Sequence, residues 1–225
     1  MEKIIAGVQH FQEHIYPQHS ELFERLARKQ QRPLALFITC SDSRVNPNLI
    51  THTEPGELFL LRNAGNIIPP YGAARGGESA TIEYALAVLG IRSIIVCGHS
   101  QCGAMQNLLK LDNLAETPAV AAWFSHAEAT RRIIKEKYRT ADNGDLENAT
   151  IQENVLVQID NLRTHPTVAA GLASRDLQIF GWVYHIATGD ILTFDIEHGR
   201  FVPLSLKPPT PIPAPNRLSV TGACT

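Results

Sequence analysis

Three short runs of apolar residues stand out in the first hundred positions of the chain. They are LALFITC at 34–40, the LFLL of GELFLLRNAGN at 56–66, and SIIVCGH at 93–99. Runs of this length, each followed by a polar or glycine-containing turn, are typical of strands buried on both faces of a parallel sheet. The pattern therefore predicts three strands at the centre of a sheet.

Helical periodicity fills the segments before, between and after these strands. The predicted helical segments are 2–30, as two helices meeting near Pro17; GGESATIEYALAVLG at 76–90; 102–138, with a break at Pro118; and 149–163. A strand, a helix and a strand of these lengths in succession predict a βαβ unit.

The last third of the chain changes character twice. The stretch DLQIFGWVYHIATGDILTFDI at 176–196 predicts a hairpin around Thr188-Gly189-Asp190, which would add antiparallel strands at the edge of the sheet. From Pro203 the sequence is proline-rich and can donate too few backbone hydrogen bonds to join a sheet.

These patterns predict an α/β fold with a mostly parallel central β-sheet flanked by helices. The domain organisation would be an N-terminal helical arm at 1–32, an α/β domain at 33–202 and a proline-rich C-terminal tail at 203–225.

Composition excludes several classes of partner. Among 225 residues, 20 are Lys or Arg and 22 are Asp or Glu, so the formal net charge of −2 favours neither nucleic acid nor an anionic membrane. No apolar run approaches the roughly 18 residues that a membrane span needs. Four scattered cysteines are too few for a disulfide framework, so we expect a cytoplasmic protein whose thiols are free to bind metal.

Potential metal ligands follow two of the predicted strands. Cys40 ends the first strand, and His99 and Cys102 lie at the end of the third, in CGHSQCGAM. The carboxyl ends of parallel strands meet at one edge of a sheet, and two thiolates with an imidazole suit zinc. Cys40 alone is more typical of a small core residue. With His99-x-x-Cys102 at the same edge and Asp42 and Arg44 beside it, the sequence favours a zinc site.

The pair of motifs CSDSRV and GHSQCG resembles the β-class carbonic anhydrases. The resemblance continues through PGELFLLRNAGN to the LQIFGWVY strand and so covers most of the chain. It is closest to the plant-type branch, and within that branch to the carboxysomal enzymes of cyanobacteria. Another branch carries tryptophan where this chain has Phe37, and Phe37 together with Gln31 favours the plant-type form, in which the metal site is open.

The resemblance implies a function for each motif residue. Cys40, His99 and Cys102 would hold one Zn²⁺ per chain, and zinc-bound hydroxide would attack carbon dioxide to form bicarbonate. Asp42, paired with Arg44, would orient that hydroxide. If Arg44 released it, Asp42 would become the fourth ligand of zinc and close the site, so the resemblance implies a switch.

The resemblance also implies a substrate pocket and an assembly. Gln31 would hydrogen-bond the substrate, while Phe59, Ala64 and Tyr84 would line an apolar pocket suited to carbon dioxide. Without the motifs, the two aromatic residues would be interpreted as core. Family members build this site across a homodimer or higher homo-oligomer, in which the N-terminal arm wraps the partner subunit.

Two alternative functions stay open on the sequence. The first is a zinc-stabilised scaffold of the same fold, docked to a carboxysome shell protein through the proline-rich tail. The second is a hydrolase of a carbon dioxide analogue such as carbon disulfide. Intact Asp42, Arg44 and Gln31 favour the active enzyme, which would supply carbon dioxide inside a carboxysome in the cytoplasm.

Overall fold

The computed structural model describes residues 1–74, 76–110, 114–138, 143–205 and 209–215. Positions 111–113 of the predicted helical segment and positions 206–208 and 216–225 of the predicted tail lie outside the described residues. The chain divides into two compact units, Met1–Arg32 and Pro33–Thr225.

The N-terminal unit is a series of helical segments. It comprises α1 (Glu2–His10), a π-helical turn (Phe11–Ile15), α2 (Tyr16–Gln18) and α3 (Ser20–Arg28). The predicted junction near Pro17 occurs at His19, whose backbone leaves the helical region at φ −116° and ψ 15°. The ring of Phe23 packs against Phe11 and Tyr16, with centroids 5.8 and 5.4 Å away, and so joins the helices on either side of the junction.

The second unit is built around a six-stranded sheet. The strands are β1 (Ala35–Cys40), β2 (Leu58–Asn63), β3 (Ser93–His99), β4 (Gln178–Tyr184), β5 (Ile191–Asp195) and β6 (Arg200–Pro203), in the order β2-β1-β3-β4-β5-β6. The pairs among β2, β1, β3 and β4 are parallel, whereas β5 and β6 are antiparallel. The predicted fold class, its three central strands and its hairpin are confirmed.

Helices connect the strands and cover the core. They are α4 (Pro47–Thr51), α5 (Gly77–Glu83), which continues as a π-helical turn (Tyr84–Val88), α6 (Gly103–Leu108), α7 (Pro118–Phe124), α8 (Glu128–Lys137), α9 (Asn143–Arg163) and α10 (Pro166–Ala173). Short 3-10 turns lie at Ala64–Asn66 and Ser125–Ala127. The sequence did not predict α10 or β6, and α9 begins six residues before the predicted start because its first turns carry few apolar residues.

The long helix α9 packs closely on β3 and β4 because each strand has a glycine beneath it. A Cβ on Gly98 would lie 3.0 Å from Val155 Cγ2, and one on Gly181 would lie 3.1 Å from Val155 Cγ1. Both distances are shorter than ordinary van der Waals contact, so a larger residue would push the helix away from the sheet.

Part of the predicted tail lies against the sheet. The first residue of that tail, Pro203, is the last residue of β6. Further along, the Ile212 amide donates to the Ile179 carbonyl of β4 at 2.8 Å, and Arg163 donates to the Pro213 carbonyl at 2.6 Å. Within the described part of the chain, no helix is long and apolar enough to cross a membrane.

Candidate metal centre

The three predicted ligands converge at the carboxyl edge of the sheet. Cys40 is the last residue of β1, His99 is the last residue of β3, and Cys102 precedes the first turn of α6. One ligand atom from each side chain lies within 4.8 Å of the other two, and all three side chains are buried. Neighbouring parallel strands therefore bring the sulfur of Cys40 together with an imidazole and a second sulfur that lie 59 or more positions later in the sequence.

The two ring nitrogens of His99 have different surroundings. Its Nδ1 donates to the Ser100 carbonyl at 3.0 Å. Its Nε2 is buried and has no hydrogen-bond partner among the described residues. A buried nitrogen without a partner is unfavourable, and a metal ion at this position would satisfy it.

The side chains of Cys40 and Cys102 interact directly by a hydrogen bond. A hydrogen bond from Cys102 is the largest effect on Cys40 and lowers its pKa to about 4, with help from the Gly65 amide, which donates to Cys40 Sγ at 3.4 Å. The same interaction raises the pKa of Cys102. The lowered pKa favours the thiolate form of Cys40, which binds soft or borderline cations. Two thiolates with a neutral imidazole suit zinc.

A carboxylate–guanidinium pair lies beside the ligands. Arg44 donates to the two carboxylate oxygens of Asp42, from Nε at 3.0 Å and from Nη2 at 2.8 Å. These hydrogen bonds hold the pKa of Asp42 below its usual range, and Asp42 in turn raises the pKa of Arg44. Asp42 Oδ2 lies 4.0 Å from His99 Nε2, so an ionised acceptor stands next to the position where a metal would be bound.

The family profile described as carbonic anhydrase matches residues 35–191, which include every ligand and the carboxylate–guanidinium pair. This chain belongs to the carbonic anhydrase family. A carbonic anhydrase from Synechococcus elongatus is 54% identical over 193 residues, which are 85% of this chain and 71% of that relative.

Solved structures place the chain in the β class of carbonic anhydrases. The structure of the β-carbonic anhydrase CcaA is 50% identical, superposes with a TM-score of 0.89, and is matched over 92% of this chain and 93% of that one. One of two tetrameric β-carbonic anhydrases from Sordaria macrospora is 28% identical, with a TM-score of 0.75 and coverage of 85% and 95%.

The predicted pocket residues lie in different surroundings in this carbonic anhydrase. The rings of Phe59 and Tyr84 stack with centroids 6.1 Å apart, and Tyr84 is 45% exposed, which differs from a plain core aromatic. Ala64 is exposed and directly precedes Gly65, the donor to Cys40. Gln31 is exposed and belongs to the Met1–Arg32 unit, after the end of α3.

Sequence reasoning missed the support beneath Gly65. Gly65 has φ +80°, and a Cβ there would lie 2.9 Å from Met105 Cε, so the turn that presents its amide to Cys40 requires glycine. Asn154 on α9 donates to the Gly65 carbonyl at 3.0 Å, and Trp123 donates to the Ala64 carbonyl at 2.8 Å. The NAGN stretch marked the turn, but nothing in the sequence pattern connects it to α9.

Two further residues fix the loop that carries Asp42 and Arg44. Arg62 on β2 donates from Nε to the Cys40 carbonyl at 3.0 Å and from Nη2 to the Asp42 carbonyl at 2.9 Å. Gln101, in the turn between β3 and α6, accepts from Arg44. Both positions lie inside motifs that the sequence made conspicuous, but their contacts depend on the fold.

Proposed function

We propose that the chain catalyses the reversible hydration of carbon dioxide to bicarbonate at a zinc ion held by Cys40, His99 and Cys102. The observation that carries this proposal is the convergence of the three buried ligand atoms within 4.8 Å of one another, with Asp42 beside them. Three protein ligands leave one position of a tetrahedral zinc ion for water, as a catalytic site requires.

Zinc, when bound, supplies Lewis acidity that acidifies a water molecule in its open position. Two thiolates and a neutral imidazole give a neutral site, which acidifies water less strongly than a cationic one, so neighbouring groups have to contribute. Asp42 stays ionised at neutral pH and acts as a hydrogen-bond acceptor that orients the nucleophile toward the substrate carbon. Arg44 fixes the direction of that carboxylate by a two-point contact.

Membership of the family supports a substrate pocket and an assembly of the same kind in this chain. Phe59, Ala64 and Tyr84 line an apolar pocket for carbon dioxide, and Gln31 donates a hydrogen bond to the substrate. The exposed apolar residues of the N-terminal arm, Ile4 and Ile5 among them, support its role in dimerisation. The Sordaria relatives are tetrameric, which supports a homo-oligomer of at least two chains.

The decisive experiment combines zinc analysis with stopped-flow measurement of carbon dioxide hydration between pH 6.5 and 9. We expect about one zinc per chain and fast turnover, which Asp42→Ala reduces by at least tenfold while zinc is retained. Asp160→Ala is the matched control, because Asp160 also pairs with an arginine, Arg163, at 2.9 Å but lies on α9. The control variant should keep full activity.

Other outcomes would identify the alternatives. A zinc-loaded protein that is inactive at every pH contradicts the enzyme and favours a zinc-stabilised scaffold. Faster turnover of carbon disulfide than of carbon dioxide in the same assay contradicts the assignment of substrate.

We further propose that the enzyme acts in the cytoplasm within a carboxysome and that the tail at 203–225 docks to a shell protein. The similarity to a cyanobacterial carbonic anhydrase and the proline-rich composition of the tail support this role. A pull-down with the full chain and with a chain ending at Val202 tests it. Equal recovery of shell protein by both chains would contradict docking through the tail.

A further inference from the structure

Gln101 contacts Arg44 through both its backbone and its side chain. Its carbonyl oxygen accepts from Arg44 Nη2 at 3.0 Å, and its side-chain Oε1 accepts from Arg44 Nη1 at 3.3 Å. Asp42 occupies the other edge of the same guanidinium. Arg44 is therefore held between the Asp42 carboxylate and the turn that links two of the metal ligands.

The backbone of Gln101 is in an unusual conformation. Its φ of +56° lies in the left-handed region, which residues other than glycine seldom adopt. In this conformation the carbonyl and side-chain oxygens of Gln101 both reach Arg44. A glycine at this position would allow the same backbone conformation and would lack the side-chain acceptor.

The Arg44 side chain is 46% exposed, whereas the Asp42 side chain is 16% exposed. Because solvent reaches Arg44, a contact besides that with Asp42 is needed to hold its guanidinium in place. Even a two-point ion pair gains little free energy where solvent reaches the guanidinium, so a further acceptor helps to keep Arg44 on the carboxylate. Asp42 Oδ2 is only 4.0 Å from the metal-facing nitrogen of His99, and carboxylate oxygens are themselves zinc ligands. A carboxylate released by Arg44 would therefore be within reach of the ion.

We propose that Gln101 is a positioning residue that keeps Arg44 on Asp42 and thereby keeps the Asp42 carboxylate off the metal. This inference rests on the proposed function, because it concerns the open position of that metal site. The turn between His99 and Cys102 would then have a second effect. It would determine the fraction of time for which the fourth coordination position of the metal is free of the Asp42 carboxylate.

The test replaces zinc with Co²⁺ and measures azide binding at a fixed pH from the visible absorption of the metal. Gln101→Gly keeps the backbone conformation and the carbonyl acceptor but loses Oε1, so Asp42 should compete for the metal and weaken azide binding about fivefold. In the Asp42→Ala background the same substitution should have no effect, because no carboxylate competes. Gln106→Ala is the control, since Gln106 bonds Glu147 and not Arg44.

Two results would overturn the proposal. One is an azide affinity of Gln101→Gly that equals that of the unaltered protein. The other is an equal loss with and without the Asp42 carboxylate, which would mean that Gln101 supports the turn in general. If the unaltered cobalt protein lacks thiolate-to-metal charge-transfer absorption, the metal centre itself is refuted, and this inference with it. With those bands present, unchanged azide affinity refutes only the role of Gln101.

Discussion

The two halves of the candidate active site are held in place in different ways. The candidate ligands Cys40, His99 and Cys102 are between 0 and 6% exposed and belong to the ends of β-strands and the start of a helix. The Asp42–Arg44 pair lies on a turn, and the Arg44 side chain is 46% exposed. Packing of the fold fixes the first half, whereas a few hydrogen bonds fix the second.

This difference separates stability from activity. A substitution among the ligands or beneath them disturbs buried groups, so it should change metal content and the free energy of unfolding together. A substitution in the Asp42–Arg44 pair acts at a partly solvated position, so it should change the reaction far more than the fold. Three predictions test this separation, and a fourth concerns a buried histidine outside the site; they run from the largest effect to the smallest.

The largest effect is expected from removal of a ligand. Cys102→Ser should lose zinc and nearly all activity, because a hydroxyl is a much poorer ligand than a thiolate. Zinc analysis after dialysis, together with the hydration assay, measures this outcome. Cys97→Ala is the matched control, since Cys97 is also a buried thiol but burial raises its pKa to about 12. If the Cys97 variant also lost zinc, the loss in Cys102→Ser could be attributed to the cavity left by a missing buried sulfur and not to the loss of a ligand.

The second prediction concerns the turn that presents an amide to Cys40. Gly65→Ala should destabilise the protein by about 2–4 kcal/mol, because it adds a steric overlap with Met105 to the strain of positive φ. Gly189→Ala has the same φ of +80° with nothing within 4 Å, so it should cost only about 1 kcal/mol. Urea unfolding of the two variants measures the difference. Equal losses would mean that Met105 moves aside without cost.

The third prediction concerns the partly exposed half of the site. Arg44→Lys should lower kcat/KM by about tenfold or more, because an ammonium cannot make the two-point contact with Asp42. The free energy of unfolding should change by less than about 1 kcal/mol. Arg132→Lys, at another exposed arginine–carboxylate contact, is the control and should change neither quantity. A large loss of stability in the Arg44 variant would contradict the separation between the two halves.

The smallest effect is a pH dependence of stability from His165, which directly precedes α10. His165 is buried against the Pro69 carbonyl, and burial lowers its pKa. His165 therefore binds a proton more readily in the unfolded chain than in the native state. Its effect on the free energy of unfolding is absent at neutral pH and destabilises the protein as pH falls below about 6.5. Thermal unfolding at pH 7.5 and 5.5 should show a smaller acid-induced decrease of Tm in His165→Gln than in the unaltered protein. An identical decrease in both would remove His165 as its source.

Sequence reasoning predicted that Cys40 and His99 would meet at one edge of the sheet, and it could do so for a physical reason. Buried parallel strands have continuous apolar sequences, and the polar residues that end them must lie at one edge of the sheet, so Cys40 and His99 could be placed together without coordinates. The motif CSDSRV placed Asp42 and Arg44 in a tight turn, where a contact between residues two apart is local. In each case the information lies within a few residues of a strand end.

Interactions between distant segments could not be predicted in this way. The support of Gly65 by Asn154 joins residues 89 positions apart. The contact of Arg44 with Gln101 joins residues 57 positions apart. The predicted tail was expected to stay off the sheet, but Ile212 bonds to β4 because β5 pairs with β4 only at Trp182–Tyr184 and leaves the start of that strand open.

The sequence by itself determined the α/β class, the order of the central strands along the chain and the chemistry available at their ends, because these depend on local hydrophobic pattern and residue type. Only the tertiary structure decided the distances among the ligands, the exposure of Arg44 and the groups that brace the Gly65 turn and the Arg44 guanidinium. Those properties depend on which distant segments pack against each other, and that is a consequence of the fold as a whole.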